Sequence, residues 1–383
     1  MDINQRALEA HKEWNGKLSI NSKSPIKTRE DLSIAYTPGV AEPCRVIAKE
    51  PDKAYEYTMK ANTVAVVSDG SAVLGLGNIG PLAAMPVMEG KCALFKEFGG
   101  VNAVPICLDT QDPQEIIKAV KYLAPSFGGI NLEDISAPRC FEIEEALKKE
   151  LNIPVFHDDQ HGTAIVVLAG VINALRLTGK KKEECRVVVN GAGAAGIAIT
   201  KLLMDYGFVD IILCDSTGVV YEGREKLNWI KKEIASVTNR DRIQGTLADA
   251  MKESDIFIGV SVPNVVSEDM IKSMRPDPIV FAMSNPDPEI YPDVAKKAGA
   301  RVVGTGRSDF PNQVNNVVAF PGIFKGALEG RAGQITQEMK LAAAKAIASL
   351  ITDEELSEDK VLPDIFDERL VGVVSKAVID HIN

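Results

Sequence analysis

Residues 128–164, GGINLEDISAPRCFEIEEALKKELNIPVFHDDQHGTA, decide how the rest of the chain is interpreted. An apolar run ends at the acidic pair Glu133–Asp134, a segment with helical spacing follows, and a second apolar run ends at Asp158–Asp159. A strand, a helix and a second strand of these lengths predict a right-handed βαβ unit with parallel strands. Both acidic pairs are therefore expected at the carboxyl ends of neighbouring strands, where open α/β sheets bind ligands.

Four carboxylates at one edge of a sheet repel one another unless a cation lies among them, so the pattern indicates a divalent metal site. Acidic residues after strands also cap helices or remain solvated, and this interpretation competes for either pair taken alone. Oxygen ligands favour Mg²⁺ or Mn²⁺ over zinc. His157 and His161 flank the second pair and could favour zinc, but they have no cysteine partners, and His161 is expected at the start of the next helix.

Size and composition predict a two-domain protein of the cytoplasm. A chain of 383 residues exceeds one ordinary core, and we predict domains over residues 1–160 and 161–383. The net charge of −10, with no basic stripe, argues against nucleic acid or an anionic membrane as partner. The six cysteines form no Cys-x-x-Cys motif, and no uninterrupted apolar span is long enough for a membrane, which predicts a reducing, cytoplasmic location.

The first domain is predicted to be α/β, with strands at 63–68, 103–108, 128–133 and 153–157. Gly75, Gly77 and Gly80 form a Gly-x-Gly-x-x-Gly motif after the first of them. The motif begins several residues beyond that strand, and no acidic residue ends a second strand about 20 residues later, as a dinucleotide site requires. We interpret these glycines as positions where the backbone approaches a ligand or another loop closely.

Two residues of this domain have a packing interpretation and a chemical one. Lys91 has apolar neighbours one helical turn away on both sides, so it either extends its ammonium to solvent or is a desolvated lysine with a lowered pKa, usable as a base. Tyr36 precedes the turn signal Pro38–Gly39, where a tyrosine is usually a packing residue with a solvated hydroxyl and less often a catalytic one.

The second domain begins with a complete dinucleotide-binding fingerprint. An apolar strand over residues 186–190 leads into a glycine-rich turn and a helix, and the next strand ends in Asp215, 24 residues after Gly191. Glycines permit the close approach of a pyrophosphate to the helix N-terminus, and the acid bonds a ribose hydroxyl and disfavours a 2′-phosphate, which predicts NAD over NADP. The predicted turn residues are Gly191, Gly193, Ala194, Ala195 and Gly196.

Further strands at 256–260, 279–283 and 301–304 complete a doubly wound sheet. The fold class is thus α/β: an N-terminal domain with a mostly parallel sheet, a Rossmann-type dinucleotide-binding domain, and C-terminal helices. Asn285, Asn315 and Asn316 lie in loops after strands of the second sheet, as turn residues or as contacts to nicotinamide or substrate. Apolar stripes in the tail are expected to pack on the body or on a partner subunit, and a homodimer is predicted.

These residues together resemble the malic enzymes, specifically the short prokaryotic form. The resemblance covers essentially the whole chain, and its motifs occur in the family's order. They are Tyr36-Thr-Pro38, Ser-Asp69-Gly with the glycine segment up to Gly80, Glu89-Gly-Lys91, Asn131-Leu-Glu133-Asp134, Phe-His-Asp158-Asp159-Gln-His-Gly-Thr, Ser-Asn285-Pro and Asn315-Asn316.

The resemblance implies oxidative decarboxylation of L-malate to pyruvate and CO₂ with NAD and Mg²⁺ or Mn²⁺. It implies that Glu133, Asp134 and Asp159 are the metal ligands. It also implies Lys91 as general base, Tyr36 as general acid and Asp158 as a supporting carboxylate. The asparagines would contact substrate or cofactor, as follows: Asn285 both, Asn315 the cofactor and Asn316 the substrate.

One departure from the family leaves a question open. Larger members carry an arginine that clamps a substrate carboxylate where this chain has Ala72, so the group that holds the carboxylate here is not identified. Two other functions also remain. A non-oxidative oxaloacetate decarboxylase or malolactic-type enzyme could use the same metal–enolate chemistry, although the intact fingerprint at Gly191 favours hydride transfer. A non-catalytic NAD-sensing module would not need Lys91, Tyr36 and the acids.

Overall fold

The computed structural model describes residues 2–73 and 75–382. The chain begins with four short helices, and none of the described residues in them is buried. They are α1 (Ile3–Trp14), α2 (Arg29–Ala35), α3 (Ala41–Lys49) and α4 (Ala54–Tyr57). Large apolar side chains such as Leu8 and Ile34 are exposed by 69% and 68%, so this region presents an apolar face to its surroundings.

A four-stranded parallel sheet follows, in the order β2-β1-β3-β4. Its strands are β1 (Thr63–Ser68), β2 (Asn102–Cys107), β3 (Gly129–Leu132) and β4 (Val155–His157), and its helices are α5 (Pro81–Gly99), α6 (Pro113–Leu123) and α7 (Arg139–Glu150). The four predicted strands are therefore confirmed. The connection after β1 leads outward to β2, and the connection after β3 leads outward to β4 in the opposite direction. A crevice therefore opens at the carboxyl ends of β1 and β3.

A long buried helix, α8 (Asp158–Thr178), follows the sheet directly. The apolar run over residues 163–177 predicts a helix that begins at Thr163, and this start is wrong because Asp158 and Asp159 already form the first turn. Negative charge at a helix N-terminus is stabilised by the free backbone N–H groups and the helix dipole. β4 leads directly into this helix. The second acidic pair therefore stabilises the helix N-terminus and also lies next to the crevice.

The second sheet has six strands in the order β10-β9-β8-β5-β6-β7, all parallel except β7. The strands are β5 (Arg186–Asn190), β6 (Asp210–Asp215), β7 (Gly218–Val219), β8 (Ile256–Gly259), β9 (Ile279–Ala282) and β10 (Val302–Thr305). The helices among them are α9 (Ala194–Tyr206), α10 (Trp229–Ala235), α11 (Leu247–Met251), α12 (Glu268–Lys272) and α13 (Pro292–Lys297). The doubly wound sheet is confirmed, with its change of direction between β5 and β8.

The tail forms α14 (Phe320–Glu329), α15 (Gln337–Ser349) and α16 (Arg369–Ile379), which pack on the body of the chain. In α14, Phe320 and Phe324 contact Phe95 of α5 with ring centroids 4.6 and 5.2 Å apart. The predicted apolar stripes therefore face the chain's own core. The predicted domain division at residue 160 falls in the first turn of α8 and stays a prediction.

Among the described helices, only α8 has the length and apolar composition that crossing a membrane requires. In its most apolar 18-residue window, 67% of the residues are buried inside the protein, as in the core helix of an α/β protein. All six cysteines are free thiols.

Candidate active site

Three carboxylates meet in the crevice of the first sheet. Glu133 and Asp134 directly follow β3, and Asp159 is the second residue of α8. Each offers one oxygen, and the three oxygens lie within 4.8 Å of one another. The Asp134 backbone adopts a left-handed conformation with φ of 54°, and its N–H donates to Asp159 Oδ2 at 2.8 Å. The two predicted pairs are thus brought together, with one member of the second pair in the cluster.

The acids in this cluster hold their protons unusually tightly. Burial, followed by the charges of Asp159 and Glu133, raises the pKa of Asp134 to about 9. Burial also raises the pKa of Asp159 to about 6 and that of Glu133 above its usual value. Among the described residues, the buried Asp134 Oδ2 has no hydrogen-bond partner. Clustered oxygens, raised pKa values and an unpartnered buried carboxylate oxygen fit a Mg²⁺ or Mn²⁺ ion as the missing counter-charge.

Two neighbours lie against the cluster. Asn131 supports it through a hydrogen bond, whereas neither ring nitrogen of His157 has a hydrogen-bond partner among the described residues. Sequence reasoning did not single out either as a support. Asn131 in β3 donates from Nδ2 to Glu133 Oε2 at 2.8 Å, which fixes the orientation of that carboxylate. His157 is fully buried, and its Nε2 lies 3.8 Å from Asp159 Oδ2. Burial lowers the pKa of His157, so the ring is neutral beside the acids. The i, i+2 alternation along β3 could have identified Asn131, because it places residues 131 and 133 on one face.

Lys91 extends from α5 into the cluster and not into solvent, with 8% of its side chain exposed. Its Nζ lies 3.0 Å from Glu133 Oε1 and 2.5 Å from Asp158 Oδ2. Burial alone would lower the pKa of Lys91, but the charges of Asp158 and Glu133 raise it above the ordinary value. The predicted alternative, a Lys91 with a lowered pKa, is therefore wrong for the protein without a metal ion. The nearby carboxylates raise the pKa of Lys91 by more than desolvation lowers it. A cation among those carboxylates would reverse the balance.

Asp158 joins the two halves of the chain. It is fully buried, and burial raises its pKa to about 6. Its Oδ2 contacts Lys91 and also accepts a hydrogen bond, at 2.5 Å, from Nδ2 of Asn316. Asn316 lies in a 3₁₀ turn that precedes α14. Phe320 at the start of α14 places its ring centroid 4.3 Å from Lys91 Nζ. Residues after the second sheet thus enclose Lys91 and Asp158, which lie at the boundary between the two sheets.

The cofactor fingerprint has the predicted geometry. β5 leads through Gly191, with φ of 120°, into α9, which begins at Ala194. A Cβ on Gly191 would overlap the carbonyl oxygen of Val260, and one on Gly196 would overlap that of Gly191. Gly193 is the N-cap residue of α9, and a Cβ added to it would meet no described atom within 4 Å. A pyrophosphate can therefore approach the N–H groups of Ala194 and Ala195.

Asp215 ends β6 as predicted, but two cations already hold it. Arg224 donates to both carboxylate oxygens, at 2.9 and 2.5 Å, and Lys231 Nζ donates to Oδ2 at 2.6 Å. Although burial opposes the change, these hydrogen bonds lower the pKa of Asp215 below its usual value. Sequence reasoning missed Arg224 and Lys231. Their presence beside the expected ribose site weakens the argument that Asp215 alone excludes a 2′-phosphate.

The asparagine loops lie at two places. Asn285 follows β9 and donates to the carbonyl oxygen of Met283 at 3.2 Å, and a Cβ on Gly75 would lie 3.4 Å from the Asn285 carbonyl oxygen. At Gly75 the two halves of the chain are in ordinary van der Waals contact, whereas a Cβ on Gly77 or Gly80 would meet no described atom within 4 Å, so the interpretation of this motif as a close approach stays a prediction. Asn315 accepts from the Val317 N–H at 3.0 Å, which caps the turn that presents Asn316.

Comparison with known proteins agrees with this geometry. Residues 15–148 match the model for the malic enzyme N-terminal domain, and residues 160–381 match the model for the malic enzyme NAD binding domain. The chain belongs to the malic enzyme family. The resemblance inferred from the motifs is confirmed.

Relatives in this malic enzyme family differ in their stated cofactor. The chain is 60% identical to the bifunctional malic/malolactic enzyme of Bacillus subtilis, covering 99% of this chain and 92% of the relative. It is 59% identical to the NAD-dependent malic enzyme of Geobacillus stearothermophilus, covering 99% and 79%. The NADP-dependent malic enzyme of Halomonas elongata is 50% identical, covering 98% and 92%. The solved NAD-dependent malic enzyme of Thermotoga maritima superposes with a TM-score of 0.94 at 52% identity, covering 97% and 98%.

Tyr36 is the predicted site residue that the single chain leaves apart from the cluster. It caps the C-terminus of α2 with 67% of its surface exposed. Within residues 2–73 and 75–382, its hydroxyl makes no hydrogen bond. Its assignment as general acid in this malic enzyme stays a prediction.

Arg139, at the start of α7, contacts the segment that contains Ala72. Its Nη2 donates to Asp69 Oδ2 at 3.1 Å and to Ser71 Oγ at 2.9 Å. Ala72 itself donates its N–H to the carbonyl oxygen of Asp134 at 2.9 Å. Arg139 therefore fixes the loop against which the loop of Glu133 and Asp134 rests, and sequence reasoning did not single it out.

Proposed function

We propose that this chain catalyses the NAD-dependent oxidative decarboxylation of L-malate to pyruvate and CO₂, with Mg²⁺ or Mn²⁺. Family membership supports a malate-decarboxylating oxidoreductase. The single observation that carries the finer assignment is the position of Lys91, whose ammonium lies between Glu133 and Asp158 beside the three clustered carboxylates. A base, a set of metal ligands and a boundary with the dinucleotide-binding half coincide there.

The residues present suit both groups that the reaction requires. A divalent ion held by Glu133, Asp134 and Asp159 would supply Lewis-acid polarisation of the substrate's oxygens. NAD held at the turn over residues 191–196, with Asn285 and Asn315 near its nicotinamide end, would supply the hydride acceptor.

The chain's own residues then divide the proton transfers. Lys91, as the neutral amine that a divalent ion among the carboxylates would favour, removes the proton of the C2 hydroxyl as the C2 hydride leaves, and Asp158 holds the resulting ammonium in place. Loss of CO₂ from C4 leaves the enolate of pyruvate, and Tyr36 donates a proton to C3. Asn316 keeps Asp158 oriented and approaches the substrate from the second half of the chain.

A second candidate is non-oxidative decarboxylation, as an oxaloacetate decarboxylase or a malolactic-type enzyme. The observation that favours it is the name of the 60% identical Bacillus subtilis relative, a bifunctional malic/malolactic enzyme. Such a reaction would need the same carboxylate cluster and Lys91. It differs in whether NADH accumulates.

One spectrophotometric assay separates the candidates. Purified protein is given L-malate, NAD and Mn²⁺, with and without a chelator, and absorbance at the NADH maximum is recorded. We expect NADH and pyruvate in equal amounts, abolished by the chelator. Lactate formation from malate, or loss of oxaloacetate, without net NADH selects the second candidate, and absence of every activity selects a non-catalytic NAD-binding protein.

Cofactor choice gives a prediction at Asp215. Replacing it with serine leaves Arg224 and Lys231 without their carboxylate, and a 2′-phosphate would take its place. Charge-assisted hydrogen bonds of this kind are worth about 1.5–3 kcal/mol, so we expect the ratio of kcat/KM for NADP to that for NAD to rise at least about tenfold.

Two variants control this experiment. Asp210→Ser removes a carboxylate from the opposite end of β6, where it pairs with Arg186, and should leave the ratio unchanged. Adding Arg224→Met to Asp215→Ser should remove most of the gain. An unchanged ratio in Asp215→Ser would contradict the assignment of this corner as the ribose site.

We also propose that the protein is a cytoplasmic homodimer. The six free thiols support a reducing compartment. Exposed apolar side chains on α1 and α2, including Leu8 and Ile34, support a second copy as the partner that covers them. Sedimentation equilibrium should give twice the chain mass of 41.3 kDa, and Leu8→Glu with Ile34→Glu should shift the mass toward that of one chain. A monomeric wild type would contradict the proposal.

A further inference from the structure

A second polar cavity, of about 190 Å³, lies between α7, α8, α9 and α15, on residues outside the acid cluster. Lys148, Lys201 and Lys340 contribute ammonium groups to its lining, while Ile197 and Leu202 form an apolar wall. This volume is below that of drug-sized ligand pockets, so the cavity suits a compact molecule. None of the steps proposed above uses it.

A chain of contacts crosses the base of this cavity. Lys148 Nζ lies 2.6 Å from Glu144 Oε1, and His161 Nε2 lies 2.8 Å from the same oxygen. The other ring nitrogen of His161, Nδ1, lies 3.1 Å from Lys340 Nζ. Glu144 and Lys148 neutralise each other, and a neutral His161 can donate to Glu144 while it accepts from Lys340. Glu144 and Asp205 act on Lys340 only from a distance, and no described carboxylate forms an ion pair with it.

Lys340 is 5% exposed although it bears a charge. Within residues 2–73 and 75–382, no carboxylate lies within 4.0 Å of its Nζ, and His161 Nδ1 is its one hydrogen-bond partner. An ammonium has three N–H donors, so two of them remain for a ligand. Burial, together with the charge of Lys148, lowers the pKa of Lys340 to about 7, the effect expected of a buried cation that lacks an anion.

We propose that this cavity binds a small aliphatic carboxylate, with Lys340 as its principal partner. The carboxylate would accept the free donors of Lys340, and its carbon chain would face Ile197 and Leu202. Lys201 also lines the cavity, but its Nζ is already paired with Glu233 Oε1 at 2.7 Å. The apolar wall favours a carboxylate over inorganic phosphate, which has no apolar surface to bury. The charge of the ligand would give Lys340 the ion-pair partner that it lacks among the described residues.

The cavity is also connected to the acid cluster, which makes it a regulatory site. Glu144 accepts from the His157 backbone N–H and from Gln160 Nε2, both at 3.3 Å, and these residues flank Asp158 and Asp159. A carboxylate that draws Lys340 away from His161 changes the hydrogen bonding of Glu144 at that turn. This second part rests on the proposed function, because its readout is the KM for malate.

Calorimetric titration of the full chain with succinate, in the presence of Mn²⁺, tests the binding site. We expect the wild type to show a Lys340-dependent component with a Kd of about 1 mM or below. Lys340→Met, which keeps the length of the side chain without its charge, should lose that component, whereas Lys345→Met on the exposed side of α15 should retain it. Succinate bound in the acid cluster would remain in both variants and is thereby separated.

Three results would overturn the proposal. Identical isotherms for the wild type and Lys340→Met exclude the site. Inorganic phosphate that binds as tightly as succinate through Lys340 overturns the carboxylate class. For the regulatory part of the proposal, the quantity compared is the change that succinate causes in the KM for malate. We expect this change to be about fivefold larger in the wild type than in Lys340→Met. Binding without that difference overturns the regulation and leaves the binding site, and failure of the malate assay itself does not affect the calorimetry.

Discussion

Replacing Lys91 with methionine is expected to lower kcat for malate oxidation by about 10³–10⁴-fold, the largest effect of any single change in the chain. Methionine fills the same channel beside Phe320 but cannot take the proton of the C2 hydroxyl. It also leaves Glu133 and Asp158 without the ammonium that lies 3.0 and 2.5 Å from them. Removing one partner of a buried ion pair costs about 3–5 kcal/mol, so the metal-free variant should also be less stable.

The activity loss and the stability loss can be separated. Mn²⁺ supplies the missing positive charge, so it should restore the melting temperature of Lys91→Met without restoring kcat. Lys96→Met changes an exposed lysine on the same helix, which donates to Asn102, and should leave both quantities near the wild type. Binding of NADH, followed by its fluorescence, should persist in both variants. A kcat within tenfold of the wild type would remove Lys91 from its assignment as base.

The second large effect is expected for Asp134→Asn. Asparagine is nearly the same shape as aspartate and tolerates the left-handed backbone at this position, so the loop should keep its conformation. The variant lacks one anionic ligand, and we expect Mn²⁺ affinity to fall at least about 100-fold and kcat/KM about 10³-fold. Isothermal titration with Mn²⁺ and the NADH assay measure the two.

In the absence of metal, the stability of the wild type should depend more strongly on pH than that of Asp134→Asn. The pKa of Asp134 rises from 3.8 to about 9 in the folded chain, so the folded state holds a proton that the unfolded state releases. Its contribution to the free energy of unfolding is therefore complete below about pH 4 and is lost as the pH rises toward 9. Without metal, the melting temperature of the wild type should fall over this range more than that of Asp134→Asn.

Metal binding competes with this proton, and the competition gives a further check. The rise in melting temperature that Mn²⁺ produces in the wild type should be larger at pH 8 than at pH 6. Asp134→Asn should show little rise at either pH. An equal affinity for Mn²⁺ in the variant and the wild type would contradict the assignment of Asp134 as a ligand.

Local sequence patterns were sufficient for the fold. Continuous apolar runs mark buried parallel strands, and the spacing from Gly191 to Asp215 identifies the dinucleotide-binding unit, because both signals depend on residues close together in the chain. The spacing of apolar residues predicts the start of α8 five residues too late, at Thr163 and not at Asp158. Asp158 and Asp159 were assigned to a strand end, while the helix dipole and free N–H groups include them in its first turn.

The sequence by itself determined the α/β class, the second glycine motif as the dinucleotide turn, and the acids expected at the carboxyl edge of the first sheet. Only the tertiary structure decided that Lys91 is held by Glu133 and Asp158, that Arg224 and Lys231 neutralise Asp215, and that Lys340 is buried without an anion. The reason is physical. Periodicity follows from the backbone geometry of each segment, whereas the pKa and partners of a charged group depend on which distant segments pack around it and exclude water.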